Sequence, residues 1–281
     1  MARCASESSR PAGELADGTR MRRGAVAWGV VVALAAASGA LIARPSRDHV
    51  ECGAGFIPRG PRCVPADGCP SPLVLAAGKC VAPQIRVAIP RTRLIVGPSD
   101  WEAEGKVRPR TVEAGPFWID AFEATQESFA GHDVADPVRA AHGISRKEAA
   151  DYCRQHQGRL PTEDEWMVAA AGPAGTRYPW GETGAVCRRA AFGLSRGPCS
   201  AEGTGPDTVG AHPTGDTSLG VHDLAGNVAE WVTTDEVEKG VTKGGSWRAE
   251  LATELRVWAR LEIDAVAHDD RVGVRCAHDA P

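Results

Sequence analysis

GVHDLAGNVAEWVTTD, residues 220–235, and KGGSWRAELATELRVWAR, residues 243–260, follow one another near the end of the chain. In the second stretch two glycines, a serine and a tryptophan stand in a row, the mark of a tight, ordered backbone site. The residues after them offer no thiol, no histidine and no evident metal ligand, so the stretch reads as an active site or as the shell of one. The first stretch sets Asp223 and Glu230 around Gly226 and Asn227, the only asparagine of the chain. By itself it reads as a structural loop, with Asp223 capping a turn and Glu230 pairing with an arginine.

Two helices are legible upstream. Ser145 and Glu148 form a capping box, SRKE, ahead of AADYCRQHQ and a terminating Gly158. Thr162 and Glu165 form a second, TEDE, ahead of WMVAAA and Gly172. FWIDAFEA, 117–124, reads as a strand. LRVWARLEID, 255–264, alternates, with Val257, Ala259, Leu261 and Ile263 on one face, and predicts another. Few helices, few strands and many glycines give an α+β domain with little regular secondary structure.

Charged residues make up 24% and hydrophobic residues 43% of the 281, an ordinary globular balance. The net charge of −4 gives no reason to expect a nucleic acid partner. Residues 24–43, GAVAWGVVVALAAASGALIA, are uncharged over a bilayer's length, with Arg20, Arg22 and Arg23 before them. They predict a transmembrane signal-anchor or a cleaved signal peptide, with 1–23 as a cytoplasmic tail. The rest is then exported, either tethered to the membrane or secreted or periplasmic after cleavage. Cys4 lies on the inner side, and the other eight of the nine cysteines on the outer, where disulfides persist. Cys52, Cys63, Cys69 and Cys80 form a small duplication, C-x10-C twice. They predict a two-disulfide module over 44–84, because so short a segment has too little core to hold itself. Cys187 and Cys199, 12 apart, suit a local loop.

PFWIDAFEAT, EAADYCRQHQGRLPTEDEW, YPWGE, GVHDLAGNVAEWVTTD, KGGSW and VGVRCA occur in this order. Together they resemble the formylglycine-generating enzyme, or sulfatase-modifying factor, domain, which also occurs in ergothioneine-type sulfoxide synthases and pyoverdine-maturation proteins. The resemblance covers the domain assigned to 85–281 and implies a formylglycine-generating-enzyme-like, C-type-lectin-related fold. In the catalytic members two cysteines soon after GGSW hold copper(I), for which soft thiolates are suited. Counted from GGSW, those positions are Ala249 and Glu254 here. Copper is therefore not expected, and Ser246 and Trp247 remain as the retained shell. The resemblance also implies a Cys153–Cys276 disulfide. It implies a calcium site as well, built from Asp223, the carbonyls of Gly226 and Val228, and Glu230, hard oxygens that suit the ion. A second calcium position falls on Ala191, before Phe192, which has no side-chain oxygen.

Arg256, Arg260 and Arg271 follow the pattern of the family's members without cysteines, as loop braces or as the lining of a former substrate groove. His212, His222 and His268 carry no metal-binding spacing but are left open as a set that meets in space. GLSRG, 193–197, matches G-x-S-x-G without the strand and helix that a nucleophile elbow needs. The leading expectation is an exported, non-catalytic binding or assembly module for a peptide, protein or glycan. The alternatives are an oxidoreductase with an unrecognised metal site and a structural surface protein.

Overall fold

A computed structural model describes residues 56–59, 62–65, 68–97, 108–131, 133–193, 199, 205–234 and 239–280. These lie within the compact body His49–Pro281. The apolar stretch 24–43, Cys4 and Cys52, the side chain of Cys63 and most of GLSRG lie outside them. No helix among the described residues is long and apolar enough to cross a membrane.

The described residues begin with two hairpins, β1 (Phe56–Arg59) with β2 (Arg62–Pro65) and β3 (Val74–Ala76) with β4 (Lys79–Val81). The Cys69–Cys80 disulfide clamps the second. This segment does not stand apart. Cys69 and Leu73 share a buried cluster with Phe122, Ala140, Val209 and Val228, so the main domain supplies the core that the hairpin lacks.

Strands β5 (Arg86–Ile89) and β8 (Phe117–Asp120) pair, and β13 (Ala277–Asp279) closes this sheet on the other side of β8. Between them β6 (Thr92–Val96) and β7 (Arg110–Ala114) form a separate hairpin. The predicted strand 117–124 stops at Asp120. Its last residues turn inward, so that Ala121 donates to the Ile85 carbonyl and Glu123 is buried at 2% exposure.

After the short helix α1 (Gln126–Ala130), both predicted helices are present. In α2 (Arg146–Gln155) Ser145 and Glu148 make the reciprocal capping box, and in α3 (Glu163–Ala171) Thr162 and Glu165 do. Only the stop of α2 differs: the left-handed residue is Gln157 (φ 60°), and the Gly158 N–H returns to the Cys153 carbonyl at 2.8 Å. Helix α3 buries seven of its nine residues, as expected of a helix apolar nearly all round, and packs under the β6–β7 hairpin. Its Trp166, Met167 and Val168 join Ile89, Phe117 and Val241 in the largest core cluster.

The last sheet has the order β11 (Leu261–Asp264), β10 (Lys239–Lys243), β9 (Ala229–Val232), β12 (Val272–Gly273), and only the β9–β12 pair is parallel. The strand predicted over 255–264 is real only from Leu261. Residues Ala252–Leu255 form a 3-10 turn, the Val257 N–H goes to the Arg177 carbonyl and the Ala259 N–H to that of Arg256. With these N–H groups spent on a turn and on the distant Arg177 carbonyl, the segment before Leu261 pairs with no strand among the described residues. Leu261, the first residue of β11, is exposed, while Val257 and Ile263 are buried.

Two further disulfides lie in this body. Cys153–Cys276 ties α2 to the segment leading into β13, and Cys187–Cys199 closes the local loop. Both match the expected pairings, and three disulfides among the described residues accord with an oxidising compartment.

Candidate functional site

The 223–230 loop is held by backbone conformations that few residues tolerate. Asp223, Gly226 and Asn227 all have positive φ (55°, 82° and 54°). Asp and Asn are, after glycine, the residues most at ease there. At Gly226 a Cβ would stand 2.4 Å from the Ala191 carbonyl oxygen, so any larger residue would displace the loop. Asn227 is the hub of the loop, a role that nothing in its local sequence marks. Its Oδ1 accepts from the Asp207 N–H, its Nδ2 donates to Glu123, and its carbonyl accepts from the Trp247 N–H at 2.7 Å. One residue thereby ties the GNVAEW loop to the GGSW turn.

Below the loop lies a buried charged group. Glu230 (1% exposed) accepts from Arg275 (0%) through Nε at 2.9 Å and Nη2 at 2.7 Å, and from Trp166 Nε1 at 2.6 Å. Arg275 also donates to the carbonyls of Asp120 and His222. The structural reading of Glu230, pairing with an arginine, is thus realised, and by a residue that the sequence did not single out. Burial, with Asp223 and Glu230 as neighbours, pushes the Glu123 carboxyl well above its usual range. Burial also raises Asp223, against the opposing pull of the Gly210 N–H and Arg275.

The calcium expectation meets a mixed donor set here. Three buried carboxylates, Glu123, Asp223 and Glu230, lie near the one guanidinium of Arg275, which pairs with Glu230 alone. Both oxygens of Glu230, however, already accept hydrogen bonds, one from that guanidinium. An ion would draw on Asp223 and the Gly226 and Val228 carbonyls and would have to share Glu230 with Arg275.

The GGSW turn needs its glycines. Gly245 has φ 69°, and a Cβ there would meet the Glu254 carbonyl oxygen at 2.8 Å. Ser246 Oγ accepts from the Arg248 N–H, and Trp247, 4% exposed, donates from its indole to the Asp270 carbonyl. Of the two family copper positions, Ala249 is buried and carries no donor. Glu254 turns its Oε1 back on its own loop, accepting from the N–H groups of Glu250 (3.0 Å) and Leu251 (2.9 Å). The position that holds a thiolate in catalytic relatives here braces the backbone. The Gly193 N–H donates to the Ala249 carbonyl at 2.7 Å, so the chain leading to GLSRG backs this wall.

Between these positions opens a cavity of about 500 Å³. Its floor is made of small residues, among them Ala229, Gly245, Ser246 and Ala249, and Trp258 forms one wall. The structure brings the three arginines singled out in the sequence, Arg256, Arg260 and Arg271, to its lining, and adds Arg248. Each of three is steadied from behind: Arg271 by Asp269 at 2.6 Å, Arg248 by Asp270, and Arg260 more loosely by Glu262 at 3.6 Å and Glu163 at 3.9 Å. Glu163 also receives Lys243 (3.3 Å) and Arg110 (3.8 Å). Burial lowers the Lys243 amine to about 8, with Glu163 opposing the shift and Arg110 and Arg260 adding to it.

The three histidines do not form a set. His212 contacts Asp207, His222 contacts Asp216 and stacks on Phe122, and His268 contacts Glu148. Among the described residues no group of three or more His, Cys, Asp and Glu is arranged to hold a metal ion.

A loop-built α+β scaffold with the GGSW turn, no thiolate at either copper position and an open cavity between them is the class of protein that fold and site define. The chain belongs to the sulfatase-modifying factor enzyme 1-like domain family, which matches residues 80–280. It is 32% identical over 149 residues to the inactive C-alpha-formylglycine-generating enzyme 2 of Mus musculus, covering 49% of this chain and 48% of that one. With the formylglycine-generating enzyme of Thermomonospora curvata it shares 28% identity over 205 residues, 62% of this chain and 67% of that one. The chain thus spans about half the length of the first of these relatives. Among solved structures, the Treponema denticola variable protein 1 superposes with a TM-score of 0.59 at 18% identity, covering 74% of this chain and 98% of that one, a likeness of fold alone.

Proposed function

We infer that the protein is an exported, non-catalytic binding module of this family, whose ligand, a peptide, protein or glycan, enters the cavity that catalytic members use for chemistry. The observation that carries the reading is the state of the two copper positions. Ala249 offers no donor, and Glu254 Oε1 is engaged by two backbone N–H groups, yet the cavity between them stays open. Copper(I) prefers thiolate, and a hard carboxylate already engaged is a poor substitute. Export rests on the apolar stretch 24–43 behind its arginines and on the disulfides.

The test is oxygen consumption by the purified protein with copper(I) and a cysteine peptide. No copper-dependent oxidation is expected, and its occurrence would return the protein to the oxidoreductases. The double substitution Ala249→Cys with Glu254→Cys is expected to create copper(I) affinity, readable by competition with a chromogenic chelator. It also removes the Glu254 brace, for which a loss of about 1 kcal/mol, the usual cost of a side-chain cap, is expected in urea unfolding.

Calcium at the 223–230 loop is a second proposal, favoured by the surplus of buried carboxylate. Removing calcium with a chelator is expected to lower the melting temperature, because the carboxylates then face one another uncompensated. Asp223→Asn is expected to abolish the difference while leaving the Glu230–Arg275 pair in place. Superimposable melting curves of the unmodified protein with calcium and with chelator would remove calcium from the account.

A further inference from the structure

If the cavity is a binding site, as inferred from its copper positions, its lining also defines the chemistry of the ligand, and the ligand class rests on that reading. Four arginines, Arg248, Arg256, Arg260 and Arg271, line the hollow against one glutamate, Glu254, whose Oε1 faces its own backbone. The excess is local, for the chain as a whole is acidic at −4. Carboxylates outside the cavity hold the Arg271 and Arg248 guanidiniums in place. A planar fork fixed in this way loses little freedom on gripping an anion. Beside Arg260 more cations gather, since Lys243 and Arg110 also approach Glu163, with Glu262 and Asp164 as the further partners of Arg260 and Arg110.

Two further features narrow the ligand. The floor is alanine, glycine and serine, and the wall is the Trp258 indole with the Arg256 guanidinium 5.9 Å from its ring centre. This suits a flat or compact apolar body, and about 500 Å³ is the size of a small-molecule pocket. The neighbouring cleft shares Arg248, Glu254 and Arg271 with the cavity but adds Glu250, Asp269 and Asp270. An extended polyanion leaving the hollow would run against these, so a single negative charge fits where a run of them does not.

We propose that the cavity binds one carboxylate carried on a compact apolar body, the charge set among Arg256, Arg260 and Arg271 and the body against Trp258 and the small-residue floor. Such a group is supplied either by a free carboxylic acid or by the C-terminal residue of a peptide.

Calorimetric titration of the full chain tests this with N-acetyl-phenylalanine, N-acetyl-phenylalanine amide and acetyl-Ala-Ala-Phe with a free C-terminus. The amide keeps the body and drops the charge, and its affinity is expected to be at least about tenfold weaker, the worth of one charge-assisted hydrogen bond. Binding of the acid is expected to weaken as salt rises. If the tripeptide binds at least as well as the single residue, the source is a peptide terminus; if only the single residue binds, it is a free acid. Arg260→Gln, at an exposed position, is expected to cost the acid about tenfold and the amide little. Ala259→Leu, which narrows the hollow without touching charge, is expected to weaken both. Equal binding of acid and amide, no binding of either acid at millimolar concentration, or an acid preference that survives Arg260→Gln would overturn the proposal. None of these results bears on the oxygen-consumption assay, so failure of the ligand class and failure of the non-catalytic reading are told apart.

Discussion

Replacing Arg275 by methionine lowers the melting temperature by roughly 6–20 °C, the counterpart of about 3–5 kcal/mol in a domain of this size. The guanidinium has 0% exposure and no water to fall back on. It donates to Glu230 twice and to the carbonyls of Asp120 and His222. Removing it strands the Glu230 carboxylate, itself 1% exposed, beside Glu123 and Asp223. The cost comes chiefly from the stranded charge and only partly from the lost attraction. Adding Glu230→Leu to the same chain therefore costs less than the two single losses summed, and a double-mutant cycle reads the coupling.

The loss also depends on pH. Glu123 and Asp223 have folded pKa values raised above their ordinary ones, so the folded state holds protons that the unfolded state has released. Stability from these groups is present below the ordinary carboxylate pKa and declines as pH rises through the raised values. Without Arg275 both rise further, so the variant is least impaired in mild acid and most impaired at neutral pH. A variant within about 1 kcal/mol of the parent by urea unfolding at neutral pH would show that the buried pair does not organise this core.

Removing the Cys153–Cys276 disulfide by paired alanine substitution destabilises the protein by about 5 kcal/mol, from the chain entropy of the 123-residue separation it spans. Both sulfurs are fully buried, in a cluster with Ile144, Trp231, Val272 and Val274. The alanines also leave a small cavity, which adds to the loss. Cys187–Cys199, with a separation of 12, is worth about 3 kcal/mol by the same reasoning. Urea unfolding of the two double variants orders them, and equal midpoints would mean that strain or residual structure outweighs loop length.

The helices were legible because their signals are local. A capping box lies within four residues, and Thr162–Glu165 and Ser145–Glu148 declare α3 and α2 whatever packs against them. The Cys187–Cys199 loop was legible from its spacing, whereas Cys153–Cys276 and the two copper positions were implied by the family resemblance, whose motifs fix where to count from. The strand over 255–264 misled because alternation at Val257, Ala259, Leu261 and Ile263 states only which residues differ in polarity. Whether the Val257 N–H finds a ladder depends on the Arg177 carbonyl, 80 residues earlier in the chain. The charged core was hidden for the same reason. Glu123 follows β8, Glu230 lies within β9 and Arg275 stands between β12 and β13, and nothing in their local sequence says that they meet. The sequence alone determined that GGSW is kept and that Ala249 and Glu254, not cysteines, stand at the two positions counted from it. Only the tertiary structure decided that Glu230 faces a guanidinium, that Asn227 ties two loops together, and that four arginines scattered over residues 248–271 surround one hollow. A buried charge or a cavity is defined by what surrounds it, and here the surroundings come from distant parts of the chain.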